Sequence, residues 1–288
     1  MRYAAVGHLT LDDFGTELRI GGCVAYGCAF AAGLSLESLA IARVGRDMPE
    51  SFLEFLRDLG VDTTRVKRSC ELTTRFLIRK GKGFTCPTLL ISKCDVIAPE
   101  DLESLEADVI HLGPVAGEID REVALKAIEL SRITLLDLQG VLREFTASGV
   151  ELGRGYLQDF LGLDLVTHLN EAEALAATGK RKTIEALEEL SNHFKIVSIS
   201  LGREGALFSF EGSFMKAVPP EVGVVDDIGA GDVLTAAIGI ALAKGISSEE
   251  VAKFSIASAT ASTLIKGPGK VDERIIEELS GKVSVERL

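Results

Sequence analysis

Tryptophan is absent from this 288-residue chain, and the amide residues nearly so: asparagine stands only at 170 and 192, glutamine only at 139 and 158. Amide side chains are thermolabile, so their scarcity points to a hot-growing source and draws the eye to the few that remain. Cysteine is sparse as well. The five, at 23, 28, 70, 86 and 94, include no CxxC pair and are odd in number, which argues against a zinc ribbon or a disulfide framework. The expectation is therefore buried, reduced thiols in a cytoplasmic protein. The four histidines, His8, His111, His168 and His193, are far apart in the chain and form no HExxH-type metal set. No signal peptide is expected at the N-terminus, and the most extended apolar run, Val233–Ala243, falls short of the ~18 residues of a membrane span. Positive charge is in deficit: 31 Lys and Arg against 43 Asp and Glu leave a net charge of −12, which argues against nucleic-acid and anionic-membrane partners. The chain also lacks a GxxxxGK[ST] loop and a GxGxxG after its first strand, removing the main support for Walker-type ATPases and Rossmann dehydrogenases.

What is present is alternation. Short β-branched runs alternate with helical patterns, the signature of a mostly parallel sheet covered on both faces. Strands are predicted at Tyr3–Gly7, Leu39–Val44, Val109–Leu112, Thr134–Leu138, Leu165–Leu169 and Ile196–Leu201. Helices are predicted at Val24–Ala32, Pro49–Leu59, Asp120–Leu130, Glu171–Thr178, Ile184–His193, Ala230–Lys244, Ser248–Ile265 and Glu273–Leu279. Two segments stand outside this pattern: a strand-like piece at Glu17–Ile20, and a hairpin over Thr73–Ile91 with its turn at Lys80–Gly83. The economical reading is one α/β domain over 1–288, a Rossmann-like three-layer sandwich, carrying a discontinuous β-lid formed by about 12–21 and 71–93. A lid excludes water during group transfer.

The chemistry concentrates in a few motifs. Asp226-Asp227-Ile228-Gly229-Ala230-Gly231-Asp232 runs straight into an apolar helix. Backbone amides of Gly229, Ala230 and Gly231 at a helix start make an anion site, and Asp232 beside it is placed to take a proton from an attacking hydroxyl. A glycine-rich turn in which Asp232 merely favours the helix start reads the same residues equally well. Asn170-Glu171-Ala172-Glu173 is a capping box, and Glu173 could also organise Mg²⁺ through water. Leu201-Gly202-Arg203-Glu204-Gly205 could let a nucleotide approach the backbone, with Arg203 on phosphate. Gly21-Gly22, His8 and Asp12 cluster after the first strand, where open sheets collect ligands. Asp137-Leu138-Gln139-Gly140, followed by Arg143, also ends a strand and offers groups suited to a polyhydroxy ligand.

Together these pieces resemble the ribokinase-like (PfkB) carbohydrate kinases, in the family's order: a glycine pair, N-x-x-E, L-G-x-x-G, then D-x-x-G-A-G-D. The resemblance runs from Tyr3 to about Gly269. It implies Asp232 as base, Gly229–Gly231 as anion hole, and Asn170, Gly202, Arg203, Gly205 and Gly267 on the nucleotide. It further implies Glu173 near Mg²⁺, and His8, Asp12, Gly21, Gly22, Tyr26, Asp137, Gln139 and Arg143 around the acceptor. Tyr26 stands where relatives often carry asparagine, and Ile256 where many do again, so the acceptor and nucleobase contacts differ from ribose kinases. Val6-Gly7-His8, the Asp137–Arg143 stretch and the closing Lys282–Leu288 are similar to the archaeal myo-inositol kinase branch. The expected activity is ATP- and Mg²⁺-dependent phosphorylation of a cyclitol, polyol or sugar. A nucleoside kinase, with Tyr26 and Phe84 clamping the base, and a catalytically silent regulator are the alternatives. A monomer and a homodimer both fit, since Arg79, Lys80 and Lys82 would protect the lid's edge.

Overall fold

The computed structural model describes residues 1–80, 85–147 and 149–288. The chain opens with β1 (Arg2–His8), then leaves the core for two short strands, β2 (Thr10–Asp13) and β3 (Leu18–Gly21). It returns through helix α1 (Cys23–Gly33), β4 (Glu37–Gly45), α2 (Glu50–Asp58) and β5 (Val61–Cys70). A second excursion forms β6 (Arg75–Lys80) and β7 (Thr85–Ser92); its expected turn falls on residues outside those described, as does Phe84. β8 (Ala107–Leu112), α3 (Arg121–Leu130) and β9 (Ser131–Asp137) follow, then a single turn α4 (Gln139–Leu142) and a small hairpin, β10 (Arg143–Thr146) with β11 (Gly149–Leu152). The remainder is β12 (Val166–Asn170), α5 (Glu171–Thr178), α6 (Thr183–Ser191), β13 (Ile196–Ser200), β14 (Ala206–Phe210), β15 (Ser213–Val218), α7 (Ala230–Lys244), α8 (Ser248–Ser262), α9 (Glu273–Ser280) and β16 (Ser284–Arg287).

Ten strands make the central sheet in the order β16-β15-β14-β13-β12-β9-β8-β1-β4-β5. The run from β13 to β5 is parallel, and β14, β15 and β16 extend it antiparallel. Strand alternation feeds two cores. Tyr3 and Ala5 of β1 face the side covered by α1, α7 and α8, while Ala4 and Val6 face the side covered by α3, α5 and α6. β1 lies inside the sheet, with β4 on one side and β8 on the other, so the strand order reverses there and opens a crevice at the carboxyl ends. The chain is thus a doubly wound α/β sandwich.

A separate four-stranded sheet, β3-β2-β6-β7, joins the two excursions. Its Phe76 and Ile78 pack on Val115 and Ala116 of the loop after β8, with Phe145 and Ile228 at the border. Ile228 belongs to the glycine-rich run before α7, so this sheet touches the crevice directly. One expectation needs correcting. Cys70 and Cys94, with Cα atoms 5.7 Å apart, form a disulfide across the foot of the β6–β7 hairpin, whereas Cys23 and Cys28 are free and buried. The two partners are 24 residues apart in sequence and meet because β5 ends where the hairpin returns, a proximity no spacing rule reveals. Among the described residues, no helix is long and apolar enough to cross a membrane.

Candidate active site

The site grows from the start of α7. Gly229 caps the helix with φ 78°, a left-handed conformation open to glycine at little cost. A Cβ there would lie 2.1 Å from Tyr26 Cδ1, so the aromatic ring rests directly on the glycine backbone. Asp226 shapes the preceding turn. Its Oδ1 accepts from the Ile228 amide at 3.2 Å, and its Oδ2 accepts from Arg19 Nη1 at 2.9 Å and from the Gly267 amide at 3.2 Å. The first-turn amides that follow have no intrahelical acceptor and sit at the positive end of the helix dipole, a setting that favours an anion. Asp232 lies in that same turn.

A relay from the end of β9 reaches the Asp232 carboxylate. Arg143 Nη2 donates to Gln139 Oε1 at 2.9 Å, and Gln139 Nε2 donates to Asp232 Oδ1 at 3.2 Å. Arg143 also donates to the Val115 carbonyl at 3.2 Å and lies 5.8 Å from the centre of the Phe76 ring, tying the relay to the small sheet. Burial, then the neighbouring Asp137 carboxylate, pushes the Asp232 pKa well above the ordinary carboxylate range; the charge of Arg143 opposes them. Asp12, on β2, is 8% exposed and accepts from Thr10 Oγ1 at 2.8 Å. Burial raises its pKa to about 6, against the Thr10 hydrogen bond and the charges of Arg143 and Arg19. Gly21 lies across the β2–β3 pair from this carboxylate, and a Cβ on it would overlap Asp12 Oδ2. Gly22, which caps α1, lies against the His8 carbonyl in the same way.

Asn170 and Glu173 form the expected capping box: the Glu173 amide donates to Asn170 Oδ1, and the Asn170 amide to Glu173 Oε2, each at 2.9 Å. Glu173 is 6% exposed and its pKa is raised by that burial. A desolvated carboxylate at the crevice suits a nearby cation, so the residue fits a magnesium role. Asn170 pairs with Ser200 across β12 and β13, which sets the Gly202–Glu204 turn on the same edge of the sheet. Gly202 and Arg203 are exposed there, and Gly205 turns the chain into β14. None of these three touches the Asp232 cluster.

Two expected acceptor contacts take a different place. His8 is fully buried, with Nδ1 bonded to Thr74 Oγ1 and Nε2 to the Asp95 carbonyl, both at 2.8 Å. Both ring nitrogens thus hold the foot of the β6–β7 hairpin, and neither is left for a ligand. Asp137 is 2% exposed and likewise turns inward. It meets His111, which also lies beside Tyr3 and Cys23. The ligand-type atoms of Cys23, His111 and Asp137 fall within 4.8 Å of one another although the residues are far apart in sequence. Hydrogen bonds already satisfy this cluster, so it needs no cation. Sequence reasoning missed Tyr3, His111, His168 and Thr235; the one available signal was polar residues on the inward phase of apolar strands. A cleft of about 540 Å³ between α7, α8 and α9, lined by Lys244, Phe254 and Ile276, lies at the other end of α7, ~20 Å from Asp232 at 1.5 Å per residue.

A doubly wound sheet that carries a glycine-rich helix start with a carboxylate in its first turn has the architecture of the ribokinase-like small-molecule kinases. The chain belongs to the pfkB family of carbohydrate kinases, whose family model matches residues 10–274. It is 32% identical over 117 residues to a 1-phosphofructokinase of Haloferax volcanii, a match spanning 38% of each chain and hence little more than a third of that relative. A 1-phosphofructokinase of Vibrio cholerae is 22% identical over 262 residues, covering 85% of this chain and 79% of the relative. In fold, a pyrophosphate-dependent kinase of the ribokinase family, solved with a pyrophosphate analogue and myo-inositol, superposes with a TM-score of 0.82 at 23% identity, covering 96% of this chain and 99% of the other.

Proposed function

We propose that the chain transfers the γ-phosphoryl group of ATP to a hydroxyl of a small polyol, a cyclitol or sugar of the myo-inositol type. The observation that carries this is the Asp232 carboxylate in the same helix turn as the Gly229–Gly231 amides, with its pKa raised chiefly by burial. In the reaction Asp232 takes the proton of the acceptor hydroxyl as that oxygen bonds to the γ-phosphorus. The bond from phosphorus to the bridging oxygen breaks, and ADP leaves with the electron pair. The Gly229–Gly231 amides offset charge on the transferred group. Glu173 would hold Mg²⁺ through water, and the ion would supply charge compensation on the phosphates. Asp12, Gln139 and Arg143 line the acceptor side, while Asn170, Gly202, Arg203, Gly205 and Gly267 lie toward the nucleotide. The small sheet acts as a lid that keeps water from the transferred phosphoryl group.

The test is a product assay run hot, with MgATP or pyrophosphate as donor and myo-inositol, ribose, fructose 6-phosphate, adenosine and cytidine as acceptors. Turnover of a polyol with MgATP is expected. Turnover restricted to nucleosides would overturn the acceptor reading, and turnover with pyrophosphate alone would overturn the donor. Asp232→Asn should lower kcat by roughly 10²–10⁴-fold or more, the share of a positioned general base, while the melting temperature holds or rises. Near-wild-type turnover in that variant removes Asp232 from the role.

A further inference from the structure

We propose that Asp137 is a positioning residue for the base: a fixed anion beneath α7, held by the Tyr3–His111 pair and by Thr235, and set against the helix turn that carries Asp232. This rests on Asp232 being the base and deepens that reading.

Four consecutive strands of the sheet, β12, β9, β8 and β1, present His168, Asp137, His111 and Tyr3 to the face covered by α1 and α7. Apolar residues fill the rest of that face, so each polar group must find a partner. The Tyr3 hydroxyl lies 2.6 Å from His111 Nδ1 and has a proton to give. An imidazole that accepts at Nδ1 carries its proton on Nε2, which then donates to Asp137 Oδ2 at 2.8 Å. Thr235 Oγ1 donates to the other oxygen, Oδ1, at 2.7 Å. Burial opposes the Asp137 charge, but the electrostatic pull of His111 and His168 and a donor on each oxygen outweigh it, so its pKa lies below the ordinary range and no exposed edge is left for an acceptor hydroxyl.

The same contacts fix where that charge sits. Thr235 is three residues beyond Asp232 on α7, so its bond ties the first turn of the helix to β9. Gln139, two residues beyond Asp137, holds Asp232 from the other side at 3.2 Å. Asp137 and Asp232 are thus linked through Thr235 on α7 and through Gln139 beside β9, and like charges in a dry site raise the proton affinity of the one free to titrate. Other titratable groups act on this turn: Asp12 from β2, Tyr26 and Cys23 from α1, Tyr3 from β1, Arg143 from β10, and His168 from β12, whose Nε2 lies beside Gly231. Of these Asp12 acts in the same sense as Asp137 and Arg143 in the opposite one.

The experiment labels aspartate carboxyl carbons and follows them by NMR across pH in the full chain without substrate. The resonance missing from Asp232→Asn assigns Asp232. Asp137→Asn removes the charge, so the Asp232 midpoint is expected to move to lower pH. Thr235→Val keeps the charge but removes a donor that offsets it, so the midpoint is expected to move to higher pH. A purely structural role gives no such opposed pair. On myo-inositol, or whichever acceptor of the panel is turned over, kcat of Asp137→Asn should fall by about tenfold or more, short of the roughly 10²–10⁴ of the base itself, with KM unchanged. An unmoved Asp232 midpoint in both variants overturns the proposal, as does a raised acceptor KM with kcat unchanged, which would return Asp137 to the acceptor. If Asp137→Asn fails to fold, Thr235→Val decides alone, and a midpoint that stays or falls is fatal. Failure of the base reading shows separately, as turnover retained by Asp232→Asn.

Discussion

Asp12 illustrates how a carboxylate can oppose folding at a position where the acceptor is proposed to bind. Its pKa is raised from 3.8 to about 6 in the folded chain. A raised folded value means the folded state is most favoured below the unfolded pKa and loses that advantage as pH climbs through about 6. Two pH units correspond to about 3 kcal/mol at most. Asp12→Asn should therefore unfold at higher urea than wild type at pH 7, the gap closing toward pH 4, while its acceptor KM rises. Equal midpoints at pH 7 would show that the carboxylate carries no such cost. Residues of this kind were legible when their partners are close in sequence. The Asn170–Glu173 box and Asp232 at its helix start can be read from a few letters. The Tyr3–His111–Asp137–Thr235 chain cannot, because its members meet only across strands and a helix. For the same reason His8 and Asp137, which follow strands and look poised for a ligand, point to protein partners instead.

Among the elements, α7 links the two ends of the proposed reaction. Its cap, Gly229, holds φ 78° under the Tyr26 ring, so that ring and the glycine-rich turn form one packed unit. Gly229→Ala should destabilise the fold by about 1–2 kcal/mol from the left-handed backbone alone, and by more from the ring, which a Cβ would approach to 2.1 Å. Adding Tyr26→Ala should recover the ring's share and leave the backbone's, giving a measurable coupling in a double-mutant cycle. Full additivity would mean that the two residues do not touch. Helices were the readable elements, since α5 and α7 begin and end on sharp capping signals. Several strands were not. β5 is a mostly exposed, polar strand at the sheet edge, and β10 and β11 are four residues each, too short for a period to show. β14 is buried throughout, with no alternation to read.

At the level of the whole molecule, the alternation of strands and helices announced a parallel sheet but not which strands are neighbours. The position of β1 between β4 and β8 comes from crossovers on both sides, and that reversal opens the crevice. The antiparallel extension β14-β15-β16 depends on the C-terminal segment returning to pair with β15, a long-range contact. The small sheet was legible as two excursions, but the disulfide at its foot was not, and in the chain-entropy picture such a loop stabilises the fold by about 3 kcal/mol.

That disulfide also changes what counts as one piece of chain. Cys70 and Cys94 turn residues 71–93 into a closed covalent ring, hung on the core at a single knot. A protease that cuts the ring once therefore cannot divide the molecule. A nicked sample should run as one intact species of 30.7 kDa on a non-reducing gel and fall into two fragments only when a thiol is added. Two fragments without thiol would mean that the knot is untied. While it holds, one cut within the ring leaves both pieces joined to the core.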